Sequence, residues 1–323
     1  MAFYLRLFIY LLPVSLLGHN YHAEEAWLES PASLDQIGNT HGEVAVAANG
    51  EIYLSVQGGE LKGIQVYSPD GQYLRNVPGA PNDIHGFVIR QEDDDEFIYY
   101  VQLQKGTLVK MNLSGEQVWE TPHTQIPEKY LLKHKETGQP RPRFTMVDVA
   151  PDGRIFVVDG YGTDNIHVFD AKGEYLDTYV MKAAPFSCNN LHKIHIDTRY
   201  ADPRILGCDR RNDRLIHLTL DGEWIGEYAT GLRRPSAAAF RGDVVVIAEI
   251  NGRISILDKA GKITQKLGTN DNPKTYGHNK TRPAEWKTDV VHSPHGIAFD
   301  QDGDIIVSEY NQFGRVLCFK ALN

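Results

Sequence analysis

The feature that most constrains this chain is a unit that recurs along its sequence. Each copy reads as a short apolar strand, a turn rich in Asp, Asn or Gly, a β-rich strand, a polar turn and two further strands. The clearest copy spans residues 147–180 and reads VDVAPDGRIFVVDGYGTDNIHVFDAKGEYLDTYV. Its Pro151-Asp152-Gly153 predicts a hairpin turn, and the fully apolar run Ile155–Val158 predicts a strand buried on both faces. Such a strand belongs in the middle of a four-stranded sheet.

Five further copies begin near Val44, His85, His192, Pro235 and Gly296. Six units of this kind predict an all-β fold, a six-bladed β-propeller of the NHL type. The last unit has only one strand's length of chain after Gly314, so its outermost strand must come from elsewhere. We predict that a segment within residues 24–37 supplies this N-terminal strand and closes the ring. The alternative, an open arc of sheets, would leave edge strands unpaired.

Composition and charge narrow the function classes. At 323 residues, 41% of them apolar, the chain can bury a full core in one closed ring. The formal net charge is -9 and no run of Lys or Arg exceeds two residues, so we expect no nucleic-acid partner. Three cysteines are too few for a disulfide scaffold. Cys188 and Cys208 flank one repeat and could pair in an oxidising compartment, an option that their spacing leaves open.

The first residues, MAFYLRLFIYLLPVSLLG, place one Arg before an apolar stretch of roughly a dozen residues. This pattern is typical of a secretory signal peptide. We therefore predict a signal peptide over residues 1–23, cleaved within residues 18–23, and a propeller domain over residues 24–323. The protein would be secreted or periplasmic; the alternative is an uncleaved segment that anchors it to a membrane. We expect no integral membrane domain beyond this segment.

Three histidines share one position in their repeats. His85 in DIHGFVI, His192 in NLHKIHI and His295 in SPHGIAF each stand at the start of a unit's innermost strand. Equivalent positions converge on the axis of a ring, and three imidazoles at one point make a catalytic-type zinc site with a fourth position open. His41, in NTHGEVAV, shares this phase and is either a competing ligand or a neighbour of the ligands. His167 and His195 fall within strands and are predicted to be structural.

Two other residues are placed for chemistry beside this cluster. Tyr161 follows the buried strand of the third unit, and Arg210 occupies the matching loop of the fourth. A cation and a metal can lower the pKa of a phenol enough for it to act as a base. The structural alternatives are an aromatic side chain packed between blades for Tyr161, and a salt bridge with Asp209 or Asp213 for Arg210.

Two insertions, residues 121–143 and 267–292, join the outer strand of one unit to the inner strand of the next, so both should overhang one mouth of the channel. Either they remain solvated loops or their larger side chains line a pocket there, namely Tyr130, His134, Arg141, Arg143, Tyr276 and Trp286. We expect a small-molecule or peptide substrate at this mouth.

On these residues the chain resembles the peptidyl-α-hydroxyglycine α-amidating lyase family, itself a six-bladed NHL-type propeller, from about residue 83 to residue 319. The most specific stretches are VDVAPDGRIFVVDGYGTDNIHVFDAKGEYL, LHKIHI followed by CDRRNDRLIHL, and SPHGIAFDQDGDIIVSEYNQFGRVLCF. The resemblance implies zinc ligands at His85, His192 and His295, a catalytic tyrosine at Tyr161 and an active-site arginine at Arg210. It implies cleavage of a carbinolamide C–N bond to an amide and glyoxylate.

The chain also departs from that family. The family's other active-site arginine has no counterpart near Val56 and Gln57, and Gly162 replaces the cysteine that follows the tyrosine. Gly296 stands where the family has an aspartate involved in structural calcium binding, so calcium is a second candidate cofactor rather than an expected one. The resemblance therefore supports the family's metal site in this chain better than it supports the family's substrate.

Two other functions remain open. A non-catalytic NHL propeller would bind a protein or glycan across its mouth, with the histidines as polar lining. A different propeller enzyme, such as a calcium-dependent lactonase or a sugar-acid lyase, would need oxygen ligands, whereas the channel positions offer imidazoles. Glu249 and Glu309, at matching places after two buried strands, could provide such oxygens or could be strand-end carboxylates in loop hydrogen bonds.

Overall fold

The apolar runs of the six units become the middle strands of six four-stranded antiparallel sheets. The computed structural model describes residues 20–24, 27–31 and 34–322. Strand β1 (Asn20–Glu24) comes first in the chain and joins the last sheet. The first blade contains β2 (Val44–Val46), β3 (Ile52–Val56), β4 (Gly63–Tyr67) and β5 (Tyr73–Asn76). The second contains β6 (Ile84–Glu92), β7 (Asp95–Gln102), β8 (Thr107–Asn112) and β9 (Gln117–Pro122).

The remaining blades follow the same order. The third contains β10 (Met146–Val149), β11 (Ile155–Val158), β12 (Ile166–Phe169) and β13 (Tyr175–Tyr179). The fourth contains β14 (Leu191–Asp197), β15 (Arg204–Asp209), β16 (Arg214–Thr219) and β17 (Trp224–Ala229). The fifth contains β18 (Pro235–Arg241), β19 (Val244–Glu249), β20 (Arg253–Leu257) and β21 (Ile263–Leu267). The sixth contains β22 (Pro294–Phe299), β23 (Ile305–Glu309), β24 (Val316–Leu322) and β1. Short 3₁₀ helices lie at His123–Gln125, Glu128–Tyr130, Arg210–Asn212 and Pro283–Glu285.

The innermost strands form the ring. Each contacts the innermost strand of the next blade, and β22 of the last blade contacts β2 of the first. Apolar side chains from the second and third strands fill the spaces between blades; all four residues of Ile155–Val158 are fully buried, as their sequence predicts. These observations confirm the prediction of an all-β, six-bladed propeller.

The ring is closed by the N-terminal strand, but from a different segment than predicted. β1 pairs with β24 from Asn20 opposite Leu322 to Glu24 opposite Cys318, so the closing strand lies before residues 24–37 and overlaps that range only at Glu24. Buried side chains explain the difference: Trp27, Leu28 and Ile37 pack into the apolar contact between the first and last blades. An open arc of sheets is excluded by this pairing.

The N-terminal prediction falls mostly outside the described residues. Residues 1–19, which hold the apolar stretch of the predicted signal peptide, are not among them. Residues 20–23, which the predicted signal peptide includes, belong to β1 in the structure. In the described ranges, no helix has the length and apolar character needed to cross a membrane. Cys188, Cys208 and Cys318 are all buried and unbonded.

A carboxylate at the end of the second strand orders the start of the inner strand in four successive blades. Asp159, Asp209, Glu249 and Glu309 each accept a backbone N–H from the residue range that leads into the first strand of their own blade, with donors Arg143, Asn189, Arg233 and His292. These bonds satisfy main-chain donors that would otherwise be buried without a partner. They therefore hold the loop after the second strand against the start of the inner strand, at the mouth where the histidines lie.

Candidate metal centre

His85, His192 and His295, hereafter the bulge histidines, occupy the same irregular position in alternate blades. Each is the extra residue of a β-bulge in β6, β14 or β22, where the register with the second strand shifts by one. A bulge leaves its extra residue outside the ladder and re-aims the side chain. All three side chains are fully buried. Their ring centroids lie 4.8–5.1 Å apart, so the structure brings the three rings together as the repeat phase predicts.

The next blade holds each of these rings by a main-chain carbonyl. The Nδ1 atoms of His85, His192 and His295 lie 2.8, 2.9 and 2.8 Å from the carbonyl oxygens of Thr145, Ser236 and Gly42. Because a carbonyl oxygen only accepts, Nδ1 must carry the proton and Nε2 must present its lone pair. Blades 2, 4 and 6 thus supply imidazoles, and blades 3, 5 and 1 fix their tautomers. The Nε2 atom of His295 is buried and has no hydrogen-bond partner among the described residues.

Burial also fixes the charge of these rings. Desolvation lowers the pKa of all three bulge histidines well below the usual value of 6.5, and the positive charges of Lys193 and Arg210 nearby lower the pKa of His85 and His192 further. The rings are therefore neutral at physiological pH. Neutral imidazole is the form that ligates a metal ion.

His41 stands beside the bulge histidines. Its Nδ1 lies 3.1 Å from Oε1 of Gln57, and its ring centroid is 4.8 Å from that of His85 and 4.9 Å from that of His295. One ring nitrogen from each of these three residues lies within 4.8 Å of the others. Burial lowers the pKa of His41 to about 4. By the distances between ring nitrogens, the set that could share one ion is therefore His41, His85 and His295, whereas His192 joins His85 and His295 by its ring-centroid distances. His41 is thus a candidate ligand by its position.

The Tyr161 hydroxyl reaches into this group. It lies 3.0 Å from Nε2 of His192, 3.4 Å from Nε2 of His85 and 3.5 Å from Nε2 of His41. Nη1 of Arg210 lies 3.4 Å from the same oxygen. The loop after β11 thus brings the phenol to the imidazoles, and the packing of an aromatic side chain between blades does not describe its place.

Arg210 is a buried cation, and none of the described carboxylates forms a salt bridge with it. Its Nη2 donates to Oγ of Ser236 at 3.1 Å, and its buried Nε finds no acceptor among the described residues. The two acids that could have paired with it are engaged elsewhere: Asp209 accepts from Arg214 at 2.8 Å, and Asp213 accepts from the backbone N–H of Arg234. An unpaired buried guanidinium is costly. It is therefore a group that an anionic ligand would stabilise.

A cavity of about 510 Å³ opens over Tyr161 and Arg210. Among the described residues, three further cationic side chains line it, those of Lys182, Arg211 and Arg234, against one carboxylate, that of Asp164. The lining also includes Tyr310, which directly follows Glu309 as Arg210 directly follows Asp209, a shared repeat position by which it could have been found. The excess of positive charge favours an anionic ligand.

Lining this cavity was one of the two possibilities for the larger side chains of the insertions, and it is not the one that the structure shows. None of Tyr130, His134, Arg141, Arg143, Tyr276 and Trp286 lines this cavity; Gly277 of the second insertion does. Tyr130 packs against the core beside the third blade, and Trp286 lines a separate cavity with Leu28. Just over half of the lining residues, among them Tyr161, Arg210 and Tyr310, come from the loops after the second strands.

Glu249 and Glu309 act as structural carboxylates. Glu249 accepts from Arg253 at 2.7 Å and from the hydroxyl of Ser255, and Glu309 lies 3.5 Å from a guanidinium nitrogen of Arg315. Both are fully buried. His167 and His195 are structural as predicted: His167 contacts the Thr178 hydroxyl, and Nε2 of His195 accepts from the backbone of Ala238.

Comparison with known proteins supports the fold. No family model matches this chain. It is 26% identical over 224 residues to NHL repeat-containing protein 3 of Mus musculus, a match that covers 65% of this chain and only 62% of the length of that protein. A solved streptogramin B lyase structure is 16% identical with a TM-score of 0.59, covering 94% of this chain and 98% of that one. A solved putative gluconolactonase is 11% identical with a TM-score of 0.60, covering 94% and 92%. With the six blades described above, these likenesses support an NHL-type β-propeller.

Proposed function

We propose that this chain is an exported, zinc-dependent lyase that cleaves a C–N bond of a hydroxylated, anionic substrate, as the amidating-lyase resemblance implies. One observation carries the proposal: three neutral imidazoles from alternate blades face one another, each held through Nδ1 by the carbonyl of the next blade. Blade packing requires no histidine at this position, whereas metal binding requires this combination of ring charge, tautomer and convergence.

The residues fit zinc by their chemistry. The bulge histidines would hold the ion through Nε2, and the buried, unpartnered Nε2 of His295 is a donor that a metal would satisfy. His41 is the alternative third ligand or a fourth one. Three nitrogen ligands with an open position are the pattern of catalytic zinc. When bound, zinc would polarise a substrate oxygen and lower the pKa of a substrate hydroxyl.

The other residues of the cavity suit the remaining steps. Arg210, with its unsatisfied Nε, would receive the substrate carboxylate and orient it. The Tyr161 oxygen would take the proton of the substrate hydroxyl. As the carbon–oxygen double bond forms, the C–N bond breaks and its electron pair goes to nitrogen, which regains the proton from Tyr161. A carbinolamide thus gives an amide and glyoxylate, with no other reactant needed.

The lactonase alternative is weaker than this proposal. Calcium needs six to eight oxygen ligands. The two carboxylates that sequence reasoning offered for it, Glu249 and Glu309, are occupied by Arg253 and Arg315. The binding-module alternative shares the cationic cavity with the lyase proposal and differs from it in needing no metal.

The test joins metal content to product release. The purified protein should hold one zinc per chain and release glyoxylate from an N-acyl-α-hydroxyglycine, with activity lost on chelation and restored by zinc. Tyr161→Phe should keep the zinc and lose about 10²–10⁴-fold in kcat, whereas His192→Ala should lose the zinc. The matched control is His167→Gln, which removes a buried histidine outside the cluster. A protein without tightly held metal would support the binding module, and a zinc protein that releases no glyoxylate would refute this substrate class.

Export is a separate part of the proposal, resting on the sequence of residues 1–18. Expressed in full with its N-terminus intact, the protein should appear outside the cytoplasm. Its new N-terminus should lie at or before residue 20, because later cleavage would shorten β1. Retention of the full-length chain in the cytoplasm would refute it.

A further inference from the structure

A lysine crosses the centre of the ring next to the bulge histidines. The residue after each bulge histidine is Gly86 in the second blade, Lys193 in the fourth and Gly296 in the sixth. The Lys193 side chain is fully buried, and its Nζ lies 2.7 Å from Oε2 of Glu43 and 2.9 Å from the carbonyl oxygen of His295. Lysine is almost never fully buried unless it is paired. Its contacts therefore place one positive charge between the fourth blade and the blades opposite.

Glu43 is the anion of this pair. Its Oε1 accepts the backbone N–H groups of Val44 at 3.1 Å and Ile297 at 3.0 Å, so the carboxylate joins the first blade to the sixth. A Cβ on Gly296 would lie 2.4 Å from the same oxygen, which means that only glycine leaves room for the carboxylate. The residues after two of the bulge histidines thus have different roles. Gly296 leaves space for the Glu43 carboxylate, and Lys193 neutralises its charge.

Two separate cavities lie near this ion pair. Glu43 lines a cavity of about 640 Å³, formed by the later residues of the inner strands. His41 lines the cavity of about 510 Å³ over the candidate metal centre. None of the residues that line one cavity lines the other. Glu43 thus faces the larger cavity, and Lys193 lines neither.

The oxygens around Nζ are those that a hard cation would seek. A carboxylate and a main-chain carbonyl are ordinary calcium ligands, and the family that the chain resembles has, at the position of Gly296, an aspartate involved in structural calcium binding. Here position 296 is glycine, and the ammonium group already contacts the carboxylate and the His295 carbonyl at hydrogen-bond distance. The residues present do not fit calcium, because the Lys193 ammonium group occupies the space between these oxygens and supplies the positive charge that they would otherwise need.

We propose that Lys193 is a built-in cation that takes the place of a bound calcium ion at the centre of this propeller. It neutralises Glu43 and ties the fourth, sixth and first blades through one ammonium group. The ring then needs no second metal ion, whatever the bulge histidines bind. The inference concerns the architecture and does not rest on the proposed lyase activity.

The experiment asks whether removing the lysine creates a calcium requirement. Thermal unfolding of the full chain is followed in chelator, in millimolar Ca²⁺ and in millimolar Mg²⁺, for the wild type and for Lys193→Gly. The wild type should show the same Tm in all three. Lys193→Gly leaves Glu43 buried without a counterion, so its Tm should fall by about 5–10 °C in chelator. Ca²⁺ should restore at least half of that loss, and Mg²⁺ should restore less because it demands stricter geometry.

Two further variants complete the test. Lys110→Met removes another buried lysine, whose Nζ lies 2.7 Å from Glu92 in the second blade, and should lower Tm with no calcium response. The double variant Glu43→Gln, Lys193→Met removes both charges and should regain most of the Tm without a calcium response; it decides the matter if Lys193→Gly does not fold. A wild type stabilised by Ca²⁺, a folded Lys193→Gly with no calcium response, or a double variant no more stable than the single variant Lys193→Met measured beside it would each overturn the proposal. None of these readouts depends on glyoxylate release.

Discussion

Replacing Gly86 by alanine tests whether the packing between blades sets the affinity of the candidate metal centre. A Cβ at this position would lie 2.3 Å from the carbonyl oxygen of Thr145 and 2.7 Å from Cα of Met146. Both atoms are backbone, so neither can swing aside, and an overpacked core of this kind loses about 1–3 kcal/mol of unfolding free energy. The same Thr145 oxygen accepts from Nδ1 of His85 at 2.8 Å. Pushing it away weakens the contact that orients the ring, and losing such a contact lowers metal affinity about 10–100-fold.

Two measurements separate these effects. Urea unfolding of the metal-free protein gives the free energy of unfolding, and competition with a chromogenic zinc chelator gives the affinity for zinc. The control is Gly58→Ala, where the new Cβ would meet only the Asn39 side chain, at 3.4 Å, and neither quantity should change by more than the error of the assay. A Gly86→Ala protein that is destabilised but binds zinc as tightly as the wild type would refute the role of the carbonyl. A Gly86→Ala protein with unchanged unfolding free energy and unchanged zinc affinity would refute the claim that a Cβ at this position collides with the backbone of the next blade.

Two further predictions concern stability. Burial lowers the pKa of His167 to about 3 from its usual 6.5, so below pH 6.5 the unfolded chain binds a proton that the folded chain does not, and stability is lost as the pH falls. At pH 5 this amounts to about 2 kcal/mol; urea unfolding at pH 7 and pH 5 should show that His167→Gln loses about 2 kcal/mol less than the wild type, and equal losses would contradict the assignment. A chain that begins at residue 25 lacks β1, with its buried Ala23, and exposes the edge of β24. It should be at least about 2 kcal/mol less stable than a chain that begins at residue 20 and should aggregate at lower temperature by light scattering; equal behaviour would show that β1 does not close the ring.

The fold could be predicted because its signals are local and repeated. A hairpin glycine and an apolar run such as Ile155–Val158 specify a turn and a buried strand without reference to distant residues. Six copies leave few arrangements that bury every apolar face. The position of the closing strand was harder, because Trp27 and Leu28 are as apolar as strand residues. Only the packing between the first and last blades shows that they fill a core instead of extending a ladder.

The convergence of the bulge histidines could also be predicted, since residues at one repeat phase share one radius in a ring. Two features could not be predicted from phase, namely the contact of Lys193 with Glu43 and the lining of the cavity. Lys193 meets Glu43, which lies 150 positions away in sequence, through a side chain that crosses the axis. The cavity lining depends on loop heights, which is why Arg234 contributes and Trp286 does not. The length of an insertion and its aromatic residues do not determine whether its side chains reach the cavity.

The tautomers of the bulge histidines show what a propeller adds to a set of ligands. Each Nδ1 proton is held by a main-chain carbonyl, and a carbonyl is present whatever residue stands at that position. Substitutions in the odd-numbered blades can therefore change side chains without removing these acceptors, provided that the backbone keeps its place. The requirement falls instead on the residue after each histidine, which must let the next blade approach. At Gly86 and Gly296 this is met by the absence of a side chain, and at Lys193 by a side chain that crosses the axis and carries the charge that Glu43 needs. A search for this kind of centre should accordingly weigh the residue after each histidine as heavily as the histidine itself.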